Sequence, residues 1–112
     1  QRHKSLMRGA PAAALAGLNA WTAANPPPRV AVGNVADHVE HIGRVAGRAH
    51  VGLGADYDGV TYLPEEMGGV DGYTPLLIEL MRRGWSDADI AALAGGNLLR
   101  VLREAERVAA RS

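Results

Sequence analysis

The chain has 112 residues, 47% apolar and 21% charged, with no cysteine and a formal net charge of zero. That length suits one small domain, and the balanced charge gives no electrostatic reason to expect nucleic acid or an anionic membrane as a partner. The lack of cysteine excludes disulfide frameworks, thiolate zinc sites and cysteine nucleophiles, and no run of about 18 apolar residues is present to span a membrane.

In chain order, Gln1 to Ala24 is alanine-rich and reads as a helix interrupted near Gly9-Ala10-Pro11, because proline removes an amide donor and clashes with the preceding turn. Asn25-Pro26-Pro27-Pro28 breaks it. Three prolines favour a stiff extended connector, which serves equally as a linker or as a loop inside a larger domain. Asn34 is placed to cap the next helix, with Asp37 where a carboxylate favours a helix start. Val35, Val39, Ile42 and Ala46 share one face of that helix, and Gly47 is its natural stop.

The next ten residues, His50-Val51-Gly52-Leu53-Gly54-Ala55-Asp56-Tyr57-Asp58-Gly59, are the most informative in the chain. Val51 and Leu53 alternate with glycines at the period of a strand, and glycines inside a strand mark close approach of a ligand or another backbone. A strand running into Asp56-Tyr57-Asp58-Gly59 is shaped to present a carboxylate at its carboxyl end, the edge where α/β proteins bind ligands and do chemistry. A loop from Asp58 to Gly72 follows. Thr74 then caps a helix with Pro75 in its first turn, ending at Gly84. Ser86-Asp87-Ala88-Asp89 starts another, closed by Gly95-Gly96, and Asn97 caps the last, with Leu98, Leu102, Ala105 and Ala109 as its apolar stripe.

One strand cannot make a sheet, since its buried donors and acceptors need partners. Unless Arg29-Val30-Ala31-Val32 supplies a second short strand, those partners are expected outside this sequence. Aromatics are only 4% and the apolar content is mostly alanine, valine and leucine, so a core built from this chain alone is expected to be thin at about 25 cal/mol per Å². The opening Gln1-Arg2-His3-Lys4 has no initiator methionine and leads into no signal-like apolar core. The expectation is a piece of a longer, cytoplasmic protein.

Val35-Ala36-Asp37-His38-Val39-Glu40-His41-Ile42, followed by His50 to Gly59, resembles the carboxyl-terminal portion of the membrane (renal-type) dipeptidase family. Leu63-Pro64-Glu65, Tyr73, Leu80-Met81-Arg82-Arg83-Gly84-Trp85 and Gly95-Gly96-Asn97-Leu98-Leu99-Arg100-Val101 continue the likeness in order, over roughly residues 30 to 108. The combination is specific, although no single piece is. The resemblance implies an α/β fold, the last strand and flanking helices of a (β/α)8 barrel. Residues 1–29 would be a helical segment and proline-rich connector, and 30–112 the carboxyl-terminal part of the barrel. It also implies hydrolysis of the dipeptide bond, with Asp56 at the end of strand eight as catalytic proton carrier and substrate contact. Two zinc ions, a dipeptide substrate and the remainder of the barrel are the implied partners, and a homodimer is left open. The family's metal ligands and the arginine for the substrate carboxylate lie upstream of the matched segment, so no metal ligand is assigned here. By itself the chain is expected to be inactive.

Blander readings stand beside these. Asp56 also suits a strand-end carboxylate that caps a turn, and Asp58-Gly59 suits turn chemistry. A calcium loop would need further oxygen ligands that the following residues do not supply. His38 and His41 are three apart, whereas the zincin arrangement has its histidines four apart, so both read as solvent-edge or packing residues, and His50 as structural. Tyr57 and Tyr62 read as loop packing, Trp85 as cover for an outer edge. Two other function classes are a non-catalytic helical interaction domain and a helix-turn-helix DNA-binding module over Ser86 to Val101. The latter lacks the usual basic face, because Arg100, Arg103 and Arg107 are offset by Glu104 and Glu106.

Overall fold

A computed structural model describes residues 11–111. The interruption expected at Gly9-Ala10, and the helix expected before it, lie outside the described residues. From Pro11 on, the order is α1 (Pro11–Ala24), α2 (Val32–Ala46), a 3-10 turn (Arg48–His50), a loop with a second 3-10 turn (Val70–Gly72), α3 (Tyr73–Arg82), α4 (Asp87–Ala91), a π turn (Ala92–Gly96) and α5 (Asn97–Ala109). Among the described residues there is no β-strand. None of their helices is long and apolar enough to cross a membrane.

The strand expected from His50 to Ala55 is therefore corrected. Arg48–His50 is a 3-10 turn, and Val51 after it is extended (φ −116°, ψ 140°) without a ladder partner. A strand is a paired object, and among the described residues the alternating stretch meets no neighbour to pair with. Arg29 to Val32 does not supply one: Val32 opens α2, and the Val30 carbonyl accepts a lone hydrogen bond from the Glu65 amide at 2.7 Å.

One apolar core holds α2, α3 and α4 together. Ala36 and Val39 from α2, Leu76 and Leu80 from α3 and Ile90 from α4 meet Val51, Met67, Trp85 and Leu93. The buried face of α2 is rotated from the one expected, with Ala36 inside and Ile42 and Ala46 exposed. Gly43 is the reason. Its bare Cα lies under the Trp85 indole, where a Cβ would sit 3.6 Å from Cζ2, so a large aromatic fills the place a second aliphatic row would have taken. Trp85 is thus a core residue rather than an edge cover.

Helix ends also differ from expectation. Asn34 is not the cap of α2; Ala31 is, and the Asn34 Oδ1 reaches back to accept the Ala31 amide at 3.0 Å. Asp37 sits beyond the first turn and pairs with Arg83 instead. Thr74 lies within α3, whose preceding residue is Gly72. The stop of α3 at Gly84 holds: φ there is +89°, the Gly84 amide reaches Met81 O at 3.0 Å and the Trp85 amide reaches Leu80 O at 3.0 Å. These are the two bonds of a Schellman motif, and Leu80 and Trp85 both enter the core on either side of it. The expected start of α4 also holds, since the Ser86 hydroxyl accepts the Asp89 amide at 3.1 Å.

Arg83 ties α3 to α2. Its guanidinium donates to Asp37 at 2.7 Å, Glu40 at 2.8 Å, Glu79 at 2.9 Å and the Gly33 carbonyl at 3.1 Å. Bonds to three carboxylates push its pKa still further up, so it stays charged.

Candidate active site

Asp56 lies at the far end of the extended segment. Its φ is +53°, in the left-handed region that a residue with a side chain seldom adopts. A tight turn follows at once, in which the Gly59 amide donates to the Asp56 carbonyl at 2.8 Å. The Asp56 side chain folds back over Gly59, where an added Cβ would meet the carboxylate and make it turn aside. The carboxylate itself is exposed, and among the described residues it has no ion-pair or hydrogen-bond partner. Strained backbone at a presented polar group is a pattern found at functional sites.

Tyr57 turns the other way. Its ring meets Tyr73 edge-on, with centroids 5.8 Å apart, and its hydroxyl is buried without a partner among the described residues. Burial pushes the Tyr57 phenol pKa up, and Tyr73 and Asp71 add to the shift. Tyr57 therefore fastens the residue after Asp56 to the start of α3. Asp58 is exposed, as is Tyr62.

The near end of the segment is held by α5. The Asn97 amide nitrogen donates to the Arg48 carbonyl at 2.8 Å and to the Val51 carbonyl at 2.9 Å. The Asn97 oxygen accepts from Arg100 at 2.8 Å, and Arg100 also donates to the Ala49 carbonyl at 2.5 Å. Arg48 in turn stacks over Trp85, 4.4 Å from the ring centroid, and pairs with Asp89 at 2.6 Å. The helix cap expected of Asn97 is thus corrected. Gly96 already has helical angles (φ −59°, ψ −39°), so no amide there needs a side-chain oxygen, and Asn97 is buried instead, only 5% exposed. The spacing Asn97-Leu98-Leu99-Arg100 was the available signal, since residues three apart on a helix share a face.

His38, His41 and His50 are exposed and do not converge with Asp56. No group of three or more His, Asp or Glu side chains among the described residues is arranged to hold a metal ion. The described residues therefore do not fit a zinc pair by themselves. An open apolar groove of about 520 Å³ runs between Pro27-Pro28-Arg29-Val30 and Tyr62-Leu63-Pro64-Glu65, and Asp56 does not line it. In the helix-turn-helix region, Arg107 pairs with Glu104 and Arg100 is engaged with Asn97 and Ala49, which leaves no basic face of the kind duplex DNA requires.

The family model described as membrane dipeptidase (peptidase family M19) matches residues 10–112, reaching back across α1 beyond the segment whose likeness is legible by eye. Dipeptidase aclJ of Aspergillus oryzae is 45% identical over 76 residues, 68% of this chain and 18% of that protein. Dipeptidase 3 of Rattus norvegicus is 43% identical over 81 residues, 72% of this chain and 17% of that protein. Human dipeptidase 3 is 42% identical over 77 residues, 69% of this chain and 16% of that protein. This chain thus spans less than a fifth of the length of those relatives, and it belongs to the membrane dipeptidase family.

Proposed function

We propose that this chain is the carboxyl-terminal portion of a dipeptidase, that it completes a (β/α)8 barrel, and that Asp56 is its contribution to the chemistry. The observation that carries this reading is Asp56 itself, an exposed carboxylate at φ +53° whose carbonyl is closed into a tight turn by the Gly59 amide. The unpaired extended backbone before it suits a last strand whose neighbours come from the rest of the protein.

In hydrolysis of a dipeptide, water adds to the carbonyl carbon, the C–N bond breaks and the leaving amine must gain a proton. The Asp56 carboxylate takes the proton that the attacking water loses and gives it to the departing nitrogen, so that one group serves both halves of the reaction. The resemblance implies two zinc ions, whose ligands lie outside the described residues.

The test is Asp56→Asn in the full-length enzyme with a dipeptide substrate. A fall in kcat of about 10²-fold or more at unchanged thermal stability is expected. Unchanged kcat would remove Asp56 from the chemistry. Chelation followed by zinc addition on the same enzyme tests the metal: loss and recovery of activity is expected, and activity that persists without metal would remove zinc from the reading.

A further inference from the structure

The segment that ends in Asp56 is gripped at its root by two side chains of α5. Three carbonyls at its root, those of Arg48, Ala49 and Val51, are bonded by Asn97 and Arg100. Beyond Val51, residues 52–55 make no backbone hydrogen bond among the described residues, and the Cβ positions of Gly52 and Gly54 face open space. Where the backbone has so little lateral support, its direction is set by its anchors. The anchor at the root is one buried amide that spends both its N–H groups on the carbonyls of residues three apart. Such an amide has no freedom to rotate without orphaning a buried acceptor.

We propose that Asn97 is the positioning residue for Asp56, fixing where the extended segment leaves α5 and hence where its terminal carboxylate stands. This rests on the reading of Asp56 given above. A reacting group displaced by about 1 Å loses rate on the order of 10²-fold, so a small pivot at the root is enough to register in kcat. Arg100 holds the Asn97 oxygen and thereby fixes which end of the amide faces the carbonyls.

The experiment is a double-mutant cycle in the full-length enzyme, using Asn97→Asp, Asp56→Asn and the pair. Asn97→Asp keeps shape and the contact to Arg100 but removes both N–H donors. A tenfold or larger fall in kcat with KM changed less than about threefold is expected, and no further fall when Asp56 is already Asn. Leu76→Ala, a core change on α3 rather than on the elements that make these bonds, controls for stability: it should lower Tm and leave kcat alone. Asn97→Ser, which restores one donor, is expected to recover part of the lost kcat and serves if the aspartate variant fails to fold. Equal proportional losses from Asn97→Asp with and without Asp56 would overturn the positioning role, as would a loss shared by Leu76→Ala. An Asp56→Asn enzyme of full activity would instead overturn the underlying reading, so the two failures are told apart.

Discussion

Helices α3 and α5 are both amphipathic in sequence, yet they end in opposite circumstances. Leu76 and Leu80 of α3 are 0% exposed, whereas Leu98 and Leu102 of α5 are 72% and 54% exposed. Of α5 only Asn97 is buried; residues 98–109 are exposed all round. Periodicity therefore tells which face of a helix wants burial and says nothing of what buries it. In α3 the partner is on hand, namely α2 with Ala36 and Val39 and the indole of Trp85. The partner of α5, in the reading proposed here, is the rest of the barrel.

The largest expected effect tests that contrast. Leu80→Ala in the 112-residue chain should cost about 2–5 kcal/mol by urea denaturation, because it empties a fully buried site. Leu102→Ala should cost less than about 0.5 kcal/mol in the same chain and rise toward the core value in the full-length protein. Equal costs for the two in the short chain would mean that α5 is already packed, and the contrast would be gone.

Next in size is Arg83→Met, which leaves Asp37, Glu40 and Glu79 without their shared cation. Carboxylates left close together repel, so Tm should fall by several degrees, less than for Leu80→Ala, and the loss should shrink in high salt. Retained Tm at low salt would mean that α2 and α3 are joined by the apolar contact alone.

The legible parts of the fold were those settled within a few residues. The Gly84 stop, the Ser86–Asp89 capping pair and the helical segments around them need only local bonds, and the family likeness rests on strings of neighbouring residues. The parts that went astray depend on distant partners. The rotated face of α2 follows from Gly43 admitting Trp85 from 42 positions away, and Asn97 passed for a cap because its true acceptors, Arg48 O and Val51 O, lie more than 45 residues upstream. Asp56 was visible as a carboxylate after an alternating stretch, but its left-handed φ and its turn onto Gly59 were not, since both arise from the turn that the following residues form. The alternating stretch opens on extended backbone at Val51 but finds no ladder partner among the described residues. Alternation reports the backbone's preference, while pairing needs a neighbour.

Gly52 and Gly54 sharpen the same contrast at smaller scale. In the short chain a Cβ at either position meets nothing within 4 Å. Gly52→Ala should therefore be neutral or slightly stabilising there, by up to about 1 kcal/mol. If barrel neighbours lie against the segment in the full-length enzyme, the same change should destabilise and reduce activity. A neutral result in both settings would show that no backbone or substrate approaches that point.

The smallest effect concerns Arg48 and Asp89, the outer part of the clamp on the root of the segment. The hydrogen bond from Arg48, and after it that from Ser86, holds the Asp89 carboxyl below its ordinary value, about 3.9 in an unfolded chain. A carboxyl whose folded pKa is depressed contributes its full stability above the unfolded value and loses it as pH falls through the folded one. Both partners remain partly exposed, so the pair is worth little compared with a core leucine. Asp89→Asn should lower the urea midpoint by a constant small amount from pH 7 down to about pH 5, and the gap from the parent chain should close below about pH 4. The Arg83 carboxylate cluster is common to both proteins and cancels in the difference. No gap at any pH would mean that Asp89 acts only as the acceptor that returns to the start of α4, a task the asparagine amide oxygen performs equally well, and that Arg48 is kept in place by the face of Trp85 alone.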